Sequence, residues 1–254
     1  MTAAPHPDGP PAADPPSADP QLAERVDAVL ERLRRAARRA GRVEHDVRIL
    51  LATKTRTPAE IVAAVRAFRE RGHDVAVGEN RAQEIAKHDD PALAALDPVP
   101  ERHFIGRLQT NKAKDAVAFA RVIHSVDRDD LIDALARRAE LAERDVDVMI
   151  QVNTSGEESK GGYAQRADAV AAAIARAAHT GRLRPVGLMT IGTNTEEESA
   201  VRASLATLRE LRDEIAAPGV TRLSMGMSRD LEVAVEEGAT VVRLGSAVFG
   251  PRPA

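Results

Sequence analysis

The sequence predicts one α/β domain, a (β/α)8 TIM barrel that follows an extra N-terminal helix and a disordered tail. From residue 46 onward, eight short runs rich in β-branched residues alternate with helix-length amphipathic segments. Such alternation implies a parallel sheet. The chain has 254 residues, and a barrel of this kind needs about 250. Eight units in this length favour a closed barrel over an open doubly wound sheet.

The individual elements follow from this alternation. The predicted strands are residues 47–53, 74–77, 103–105, 122–126, 146–152, 185–189, 222–224 and 241–244. The predicted helices fall near 58–70, 80–87, 109–119, 128–143, 164–179, 196–216 and 229–237. No break in composition divides residues 20–254, so we expect one domain there.

The N-terminal segment differs from the rest of the chain. Residues 1–19 consist mostly of Pro, Ala, Asp and Ser, a composition typical of a disordered tail. Asp19 and Pro20 are expected to cap a helix that ends near Ala40. One face of that helix carries the apolar residues Leu22, Val26, Val29, Leu30 and Leu33.

Composition excludes several classes of function. The chain has no cysteine, so disulfides, zinc-thiolate sites and thiol catalysis are excluded. Aromatic residues make up only 2% of the chain and its net charge is −3, which argues against nucleic-acid binding. The sequence shows neither a run long enough to span a membrane nor a signal-peptide core. We therefore expect a cytoplasmic protein that binds neither nucleic acid nor membrane.

The first predicted strand ends at Lys54, and Thr57 and Pro58 then open a helix. Chemistry in TIM barrels collects at the C-terminal ends of the strands. An amine held there could form a Schiff base if its surroundings lower its pKa. The alternative is a lysine that only extends its charge into solvent.

Two loops at the same end of the barrel favour a phosphate ligand. Ser224 to Ser228 follow the seventh strand, and Gly245 and Ser246 follow the eighth. Loops at these positions commonly bind phosphate in barrels. Ser228 is a candidate N-cap, and Gly226 would let the backbone approach a ligand closely. Either loop alone is explained by helix capping, but the two together predict a phosphate site.

A lysine and a phosphate site in one barrel mouth have two chemical interpretations. The lysine could bond a phosphorylated sugar directly, as aldolases do, or hold pyridoxal 5′-phosphate (PLP). Arg243 lies two residues before Gly245, within reach of the far edge of a ring. Its guanidinium can only donate, so a pyridine nitrogen bonded to it would stay unprotonated and be a weak electron sink. An ion pair between Arg243 and a barrel carboxylate is the alternative.

Several motifs resemble those of the pyridoxal phosphate homeostasis protein family, whose fold is similar to the N-terminal barrel of alanine racemase. The resemblance spans about residues 22–252. It rests on Thr53-Lys54-Thr55, Gly78-Glu79-Asn80-Arg81-Ala82-Gln83-Glu84, His103-Phe104-Ile105-Gly106-Arg107-Leu108-Gln109-Thr110-Asn111-Lys112, His124-Ser125-Val126-Asp127, Gln151-Val152-Asn153, Gly156-Glu157-Glu158-Ser159-Lys160, Gly187-Leu188-Met189-Thr190-Ile191, Leu223-Ser224-Met225-Gly226-Met227-Ser228 and Val242-Arg243-Leu244-Gly245.

The resemblance implies a PLP-binding role in vitamin B6 homeostasis. It implies that Lys54 carries PLP and that Arg243 faces the pyridine nitrogen. The remaining expected cofactor-binding residues are Ser224, Gly226, Gly245 and Ser246 at the phosphate, Asn80, His103 and Met189 along the pocket, and Met227 and Ser228 in the same loop as Ser224. The chain departs from the usual family residues at Thr53, Val77, Arg102 and Arg229.

The same residues predict a carrier of PLP, with no catalytic residue and no metal. Racemisation needs acid/base groups on both faces of the adduct, and Lys54 can serve only one. Alanine racemase completes its site through a second, β-rich domain, for which we expect no room after Leu244. The only tyrosine, Tyr163, is interpreted as a mobile lid residue. We expect a monomer, with PLP-dependent apoenzymes as candidate recipients; the alternative is a PLP-dependent amino-acid racemase.

Overall fold

The computed structural model describes residues 20–157 and 159–251, and in these residues eight parallel strands close into a barrel. The strands are β1 (Arg48–Ala52), β2 (Ala76–Glu79), β3 (Arg102–Phe104), β4 (Val122–Val126), β5 (Val146–Gln151), β6 (Leu183–Met189), β7 (Arg222–Ser224) and β8 (Val241–Leu244). Each strand pairs with the next, and β8 pairs with β1. The predicted (β/α)8 fold is confirmed.

Helices surround this barrel. They are α1 (Pro20–Arg39), α2 (Pro58–Arg69), α3 (Pro91–Ala94), α4 (Ala113–Phe119), α5 (Asp129–Leu141), α6 (Ala167–Ala178), α7 (Glu198–Ile215), α8 (Leu231–Glu236) and α9 (Ser246–Phe249). Shorter 3₁₀ helices occupy Glu44–Asp46, Ala82–Asp89 and Thr110–Lys112. The predicted tail, residues 1–19, and the predicted cap Asp19 lie outside the described residues. None of the described helices is both long enough and apolar enough to cross a membrane.

Three predicted elements differ from the structure. The second strand was expected at 74–77 but runs two residues further, because Gly78 continues the strand and pairs with His103. A Cβ at Gly78 would lie only 2.6 Å from Leu50 Cδ2, so the narrow barrel interior requires a glycine there. The helix expected near 80–87 is a 3₁₀ helix, and the one expected near 109–119 divides into a 3₁₀ turn and α4.

Two apolar clusters hold the barrel together. The larger cluster joins the strands to the helices and includes the apolar face predicted for α1. The smaller one contains Leu50, Ala76, Ile105, Val122, Met149, Met189 and Val241. Its members lie on strands or directly after them and share the inward face by strand register. Outside the barrel, α1 packs along α8 and α9, and Arg32 pairs with Glu232 at 2.7 Å.

A capping box starts α2 directly after the Lys54 turn. Thr57 Oγ1 accepts from the Glu60 N–H at 3.3 Å, and Glu60 Oε2 accepts from the Thr57 N–H at 2.8 Å. Pro58 occupies the first helical position. The helix start predicted from Thr57 and Pro58 is confirmed, and it fixes where the chain leaves the barrel mouth.

The capping box gives a stability prediction. We expect Thr57→Ala to lower the free energy of unfolding by about 1 kcal/mol, since an N-cap oxygen that satisfies a helix N–H is lost. Thr57→Ser keeps that oxygen and is the matched control. Urea unfolding followed by circular dichroism measures both. Equal stability of the Ala and Ser variants would show that the cap contributes nothing.

Candidate functional site

A cavity of about 590 Å³ opens at the C-terminal ends of the strands. Eight of the eleven residues predicted to bind the cofactor line it: Lys54, Asn80, Met189, Met227, Ser228, Arg243, Gly245 and Ser246. Sequence reasoning missed one wall, which Thr193, Asn194 and Thr195 supply from the loop after β6. Their position after a strand C-terminus was the available signal.

The turn that carries Lys54 is fixed by three hydrogen bonds to the segment after β2. Thr53 Oγ1 donates to Glu79 Oε1 at 2.5 Å. The Thr55 N–H donates to Glu84 Oε2 at 2.7 Å, and Lys87 Nζ donates to the Thr53 carbonyl at 2.7 Å. Lys54 itself is half-buried. Hydrogen bonds to both neighbouring residues, Thr53 and Thr55, therefore fix the backbone that carries the Lys54 amine.

Glu79 is the centre of this anchoring network. Its side chain is fully buried, and Oε1 also contacts Lys87 Nζ at 2.9 Å and His88 Nε2 at 2.8 Å. A buried carboxylate is tolerated only when charged or polar partners compensate for its lost hydration. The carboxylate thus holds the Lys54 turn and the 3₁₀ helix Ala82–Asp89 together.

Arg243 lines the same cavity from β8, the strand that pairs with β1, and is buried. Its Nη1 donates to the Ser224 carbonyl at 2.7 Å and to Ser224 Oγ at 2.8 Å, and its Nη2 donates to the Thr190 carbonyl at 2.8 Å. Burial lowers the pKa of Arg243 to about 10, so it remains charged at neutral pH. No described carboxylate forms an ion pair with it, and the ion-pair alternative is wrong.

A chain of buried hydrogen bonds continues from Arg243 through the barrel interior. Ser224 Oγ lies 2.8 Å from His124 Nδ1, and His124 Nε2 lies 2.7 Å from His103 Nδ1. His103 Nε2 in turn lies 2.7 Å from Glu101 Oε1. We call the five residues Arg243, Ser224, His124, His103 and Glu101 the arginine relay. It connects the cavity to the start of β3.

One direction of donation satisfies every link of the arginine relay. Arg243 donates to Ser224, whose hydroxyl donates to His124 Nδ1. His124 donates from Nε2 to His103, and His103 donates from Nε2 to Glu101. This assignment needs one proton on each ring, so both histidines are neutral. Burial lowers the pKa of both histidines, most strongly that of His124, in agreement with neutral rings.

Three predicted binding residues do not line the cavity. Ser224 and His103 belong to the arginine relay, so they act on a ligand only through Arg243. Gly226 has φ of +88° and a Cβ there would lie 2.2 Å from Ala234 Cβ. That glycine therefore lets the loop after β7 pack closely against α8, and the expected approach of its backbone to a ligand stays a prediction.

Ser228 lines the cavity, but its predicted role as helix N-cap is wrong. The helix α8 starts at Leu231 with Asp230 at the N-cap position. Ser228 Oγ instead accepts from the Ala247 N–H at 3.1 Å. Asp230 Oδ1 accepts from the Met227 N–H at 2.6 Å. The Ser228–Ala247 bond joins the loop after β7 to α9, and the Asp230–Met227 bond closes the loop after β7 on itself.

Tyr163 does not line the cavity, contrary to its interpretation as a mobile lid. Its hydroxyl donates to Asp129 Oδ1 at 2.6 Å, and its backbone bonds to Gln151 and Asn153. In the same loop, Lys160 Nζ contacts Glu157 Oε1 at 2.6 Å and the Gly192 carbonyl at 2.7 Å. The described part of this loop is therefore tied to α5 and to the loop after β6.

Comparisons with known proteins fit this geometry. The alanine racemase N-terminal domain family matches residues 25–253. A relative from Aquifex aeolicus named pyridoxal phosphate homeostasis protein is 44% identical over 232 residues, which cover 90% of this chain and 97% of the relative. The chain belongs to the pyridoxal phosphate homeostasis protein family. The resemblance identified from its motifs is confirmed.

Two solved structures extend the family comparison. PipY of Synechococcus elongatus PCC7942, solved with PLP bound, is 30% identical with a TM-score of 0.72, covering 91% of this chain and 100% of PipY. Alanine racemase of Streptomyces coelicolor is 18% identical with a TM-score of 0.67, covering 91% of this chain and 59% of the racemase. At that identity the racemase shows that the family shares its barrel fold and nothing further.

Few of the side chains that line the cavity of this chain are titratable. Among the described lining residues, the titratable ones are Lys54, Arg56, Arg229, Asp230 and Arg243. Both Arg243 and Asp230 are engaged by the bonds described above. The described lining has no histidine, tyrosine or glutamate, and its carboxylate belongs to Asp230.

Glu44, His45 and His73 place three possible metal ligands within 4.8 Å of one another, near the N-terminal ends of β1 and β2. The sequence predicted no metal site. Glu44 and His45 lie in the 3₁₀ helix Glu44–Asp46, whereas His73 lies just before β2. Glu44 Oε2 already accepts from Arg34 Nε at 2.8 Å. His73 Nε2 lies 3.4 Å from Glu44 Oε1, so the Glu44 carboxylate already has two partners.

The arginine relay predicts acid sensitivity. The pKa of His124 and His103 is lowered by burial, so below pH about 6.5 the unfolded chain binds more protons than the folded one. The free energy of unfolding should therefore fall as pH decreases through this value. The hydrogen bond from His103 lowers the pKa of Glu101 to about 2, which adds a further loss between pH about 4.5 and 2.

Urea unfolding between pH 8 and pH 5 measures this dependence. We expect His124→Gln to show a shallower dependence than the unsubstituted chain, because one buried titrating ring is gone. His179→Gln, at an exposed position on the outer surface, is the matched control and should keep the full dependence. A flat profile for the unsubstituted chain would contradict the neutral relay.

Proposed function

We propose that this protein binds PLP as a Schiff base on Lys54 and serves PLP homeostasis without robust catalysis. The observation that carries the proposal is that Lys54, just after β1, and Arg243, on the neighbouring strand β8, line one cavity. Relatives named pyridoxal phosphate homeostasis protein and the PLP-bound structure of PipY support it. The same proposal covers direct cofactor-binding roles for the eight predicted residues that line the cavity, whereas Ser224 and His103 would act through Arg243.

The cavity offers groups that suit PLP. Asn80 Oδ1 is buried and has no partner among the described residues, so a ligand donor such as a ring hydroxyl would satisfy it. Ser246 is the first residue of α9, and the first N–H groups of a helix have no intrahelical partner. Together with Met227, Ser228 and Gly245, it forms the side of the cavity proposed for the phosphate.

PLP supplies an aldehyde for a reversible bond to an amine and, in enzymes, an electron sink. In this chain Lys54 would hold the aldehyde. Arg243 would donate to the pyridine nitrogen, since three bonds to Ser224 and Thr190 leave two of the five N–H groups of its guanidinium. Ser224, His124 and His103 fix the orientation of that guanidinium.

A carrier role is favoured over racemisation for two physical reasons. A guanidinium cannot protonate the ring nitrogen, so the ring stays a weak electron sink. Racemisation also needs a second acid/base group opposite Lys54, and the carboxylate in the described lining, that of Asp230, already accepts from the Met227 N–H. We further propose that the protein acts in the cytoplasm as a monomer and that PLP-dependent apoenzymes receive the cofactor. The absence of cysteine favours that compartment.

The first prediction concerns Lys54. Purified protein incubated with PLP should show the visible absorbance band of a protonated Schiff base, and borohydride should bleach it. Peptide mass spectrometry should then place the reduced pyridoxyl group on Lys54. Lys54→Arg keeps the charge but cannot form the bond, so it should lose the band, whereas Lys160→Arg should keep it. A reduced adduct at another lysine would refute the assignment.

The second prediction concerns catalysis. PLP-loaded protein incubated with each L-amino acid should form D-isomer no faster than the Lys54→Arg variant. Chiral chromatography measures the product, and a purified alanine racemase serves as the positive control. Sustained turnover that depends on Lys54 would replace the carrier proposal with the racemase alternative.

A further inference from the structure

We propose that the chain has a second anion-binding site beside the cofactor cavity, for the phosphate group of a small phosphate monoester. The site is a separate cavity of about 520 Å³ between the loops that follow β2 and β3. Asn80 lines both cavities. The anion site stands on its own observations, and only its link to PLP rests on the proposed function.

The second cavity is lined by positive charge. Its four charged lining residues are Arg81, Arg107, Lys112 and Arg128, and no described acidic side chain lines it. Arg128 is compensated by Asp127 at 2.6 Å and Asp130 at 2.8 Å. Lys112 has a weaker partner in Asp115, at 3.8 Å.

Arg81 and Arg107 carry the uncompensated charge. Neither side chain forms a hydrogen bond or ion pair with any described residue, and both are exposed to the cavity mouth. Two guanidiniums without counter-charges match the dianionic form of a phosphate monoester. Gln83, Gln109 and Thr110 add polar side chains to the same lining.

The walls of this second cavity are rigid. A Cβ at Gly106 would lie 2.0 Å from the Asn80 carbonyl oxygen, so the two loops meet backbone against backbone. Ser125 Oγ donates to the Gly106 carbonyl at 2.5 Å, and Arg128 Nη2 donates to the Leu108 carbonyl at 3.1 Å. A preformed cavity spares a ligand the cost of ordering its site.

The position suggests what the site does. A phosphorylated B6 compound that leaves Lys54 would pass Asn80, which lines both cavities, and then reach Arg81 and Arg107. Binding there would need no covalent bond to a lysine. The volume holds a small ring as well as a phosphate, which suits a whole vitamer. The second site would therefore retain phosphorylated vitamer next to the cofactor cavity, non-covalently, before release or after entry.

Titration of PLP-loaded, borohydride-reduced protein tests the site, because the first cavity is then blocked. The probe is pyridoxine 5′-phosphate, which has the ring and phosphate but no aldehyde. In phosphate-free buffer of low ionic strength, calorimetry should show one further equivalent. The double variant Arg81→Ala/Arg107→Ala should weaken it at least about tenfold, since two charge-assisted contacts are lost. Its visible Schiff-base band before reduction should be unchanged.

Arg137→Ala, which removes one positive charge from the exposed face of α5, is the matched control and should bind like the unsubstituted chain. Pyridoxine without phosphate should not bind. A titration with inorganic phosphate shows which ligand the site takes. If pyridoxine 5′-phosphate binds more tightly than inorganic phosphate, the site is for a vitamer; if the two affinities are equal, it is for free phosphate.

Two results would overturn the second site: no further equivalent in the unsubstituted protein, or a further equivalent that the double variant keeps within twofold. Failure of the proposed function is seen separately, as the absence of a reducible adduct on Lys54. In that case titration of the unreduced protein and its double variant still decides whether the anion site exists.

Discussion

The burial of the Arg243 guanidinium inside the barrel is the constraint on which the site depends. A permanent cation in an apolar interior is stable only when oxygen acceptors surround it. The Ser224 and Thr190 carbonyls and the Ser224 hydroxyl provide them. The Ser224 hydroxyl donates in turn to His124, and His124 donates to His103. His103 donates to Glu101, where the chain of hydrogen bonds ends at the barrel edge. One charge thus accounts for the line of polar side chains from Ser224 to Glu101.

Lys54 is positioned by the opposite arrangement. There a buried carboxylate, Glu79, gathers Thr53, Lys87 and His88 around the turn. The cavity therefore lies between a network built on a buried cation and a network built on a buried anion. One network fixes the turn that presents Lys54, and the other fixes the guanidinium of Arg243.

The shared barrel does not imply shared chemistry with the racemases. Fold similarity at 18% identity concerns architecture only, and function depends on the groups that line the cavity. Here those groups combine one lysine with an arginine that can only donate. The neighbouring cavity, with Arg81 and Arg107 uncompensated, adds a feature suited to holding and passing on an anionic ligand.

Much of this protein follows from its sequence alone. The alternation of strand and helix patterns determined the barrel, and the barrel placed Lys54, Arg243 and the last two loops at one mouth. Local signals also fixed the start of α2. These predictions succeed because period and capping are local properties of the chain.

Only the tertiary structure decided which partners the polar residues take. His103 and Ser224 lie in motifs that predict a pocket, yet His103 bonds to His124 and Ser224 bonds to Arg243. Ser228 bonds to Ala247 instead of capping α8. Gly78 continues its strand by pairing with Ala52 and His103, and a Cβ there would press against Leu50 on the neighbouring strand. Lys54 was visible from the sequence, but the buried Glu79 that holds its turn became visible only on folding, because hydrogen bonds between separate strands depend on register and burial.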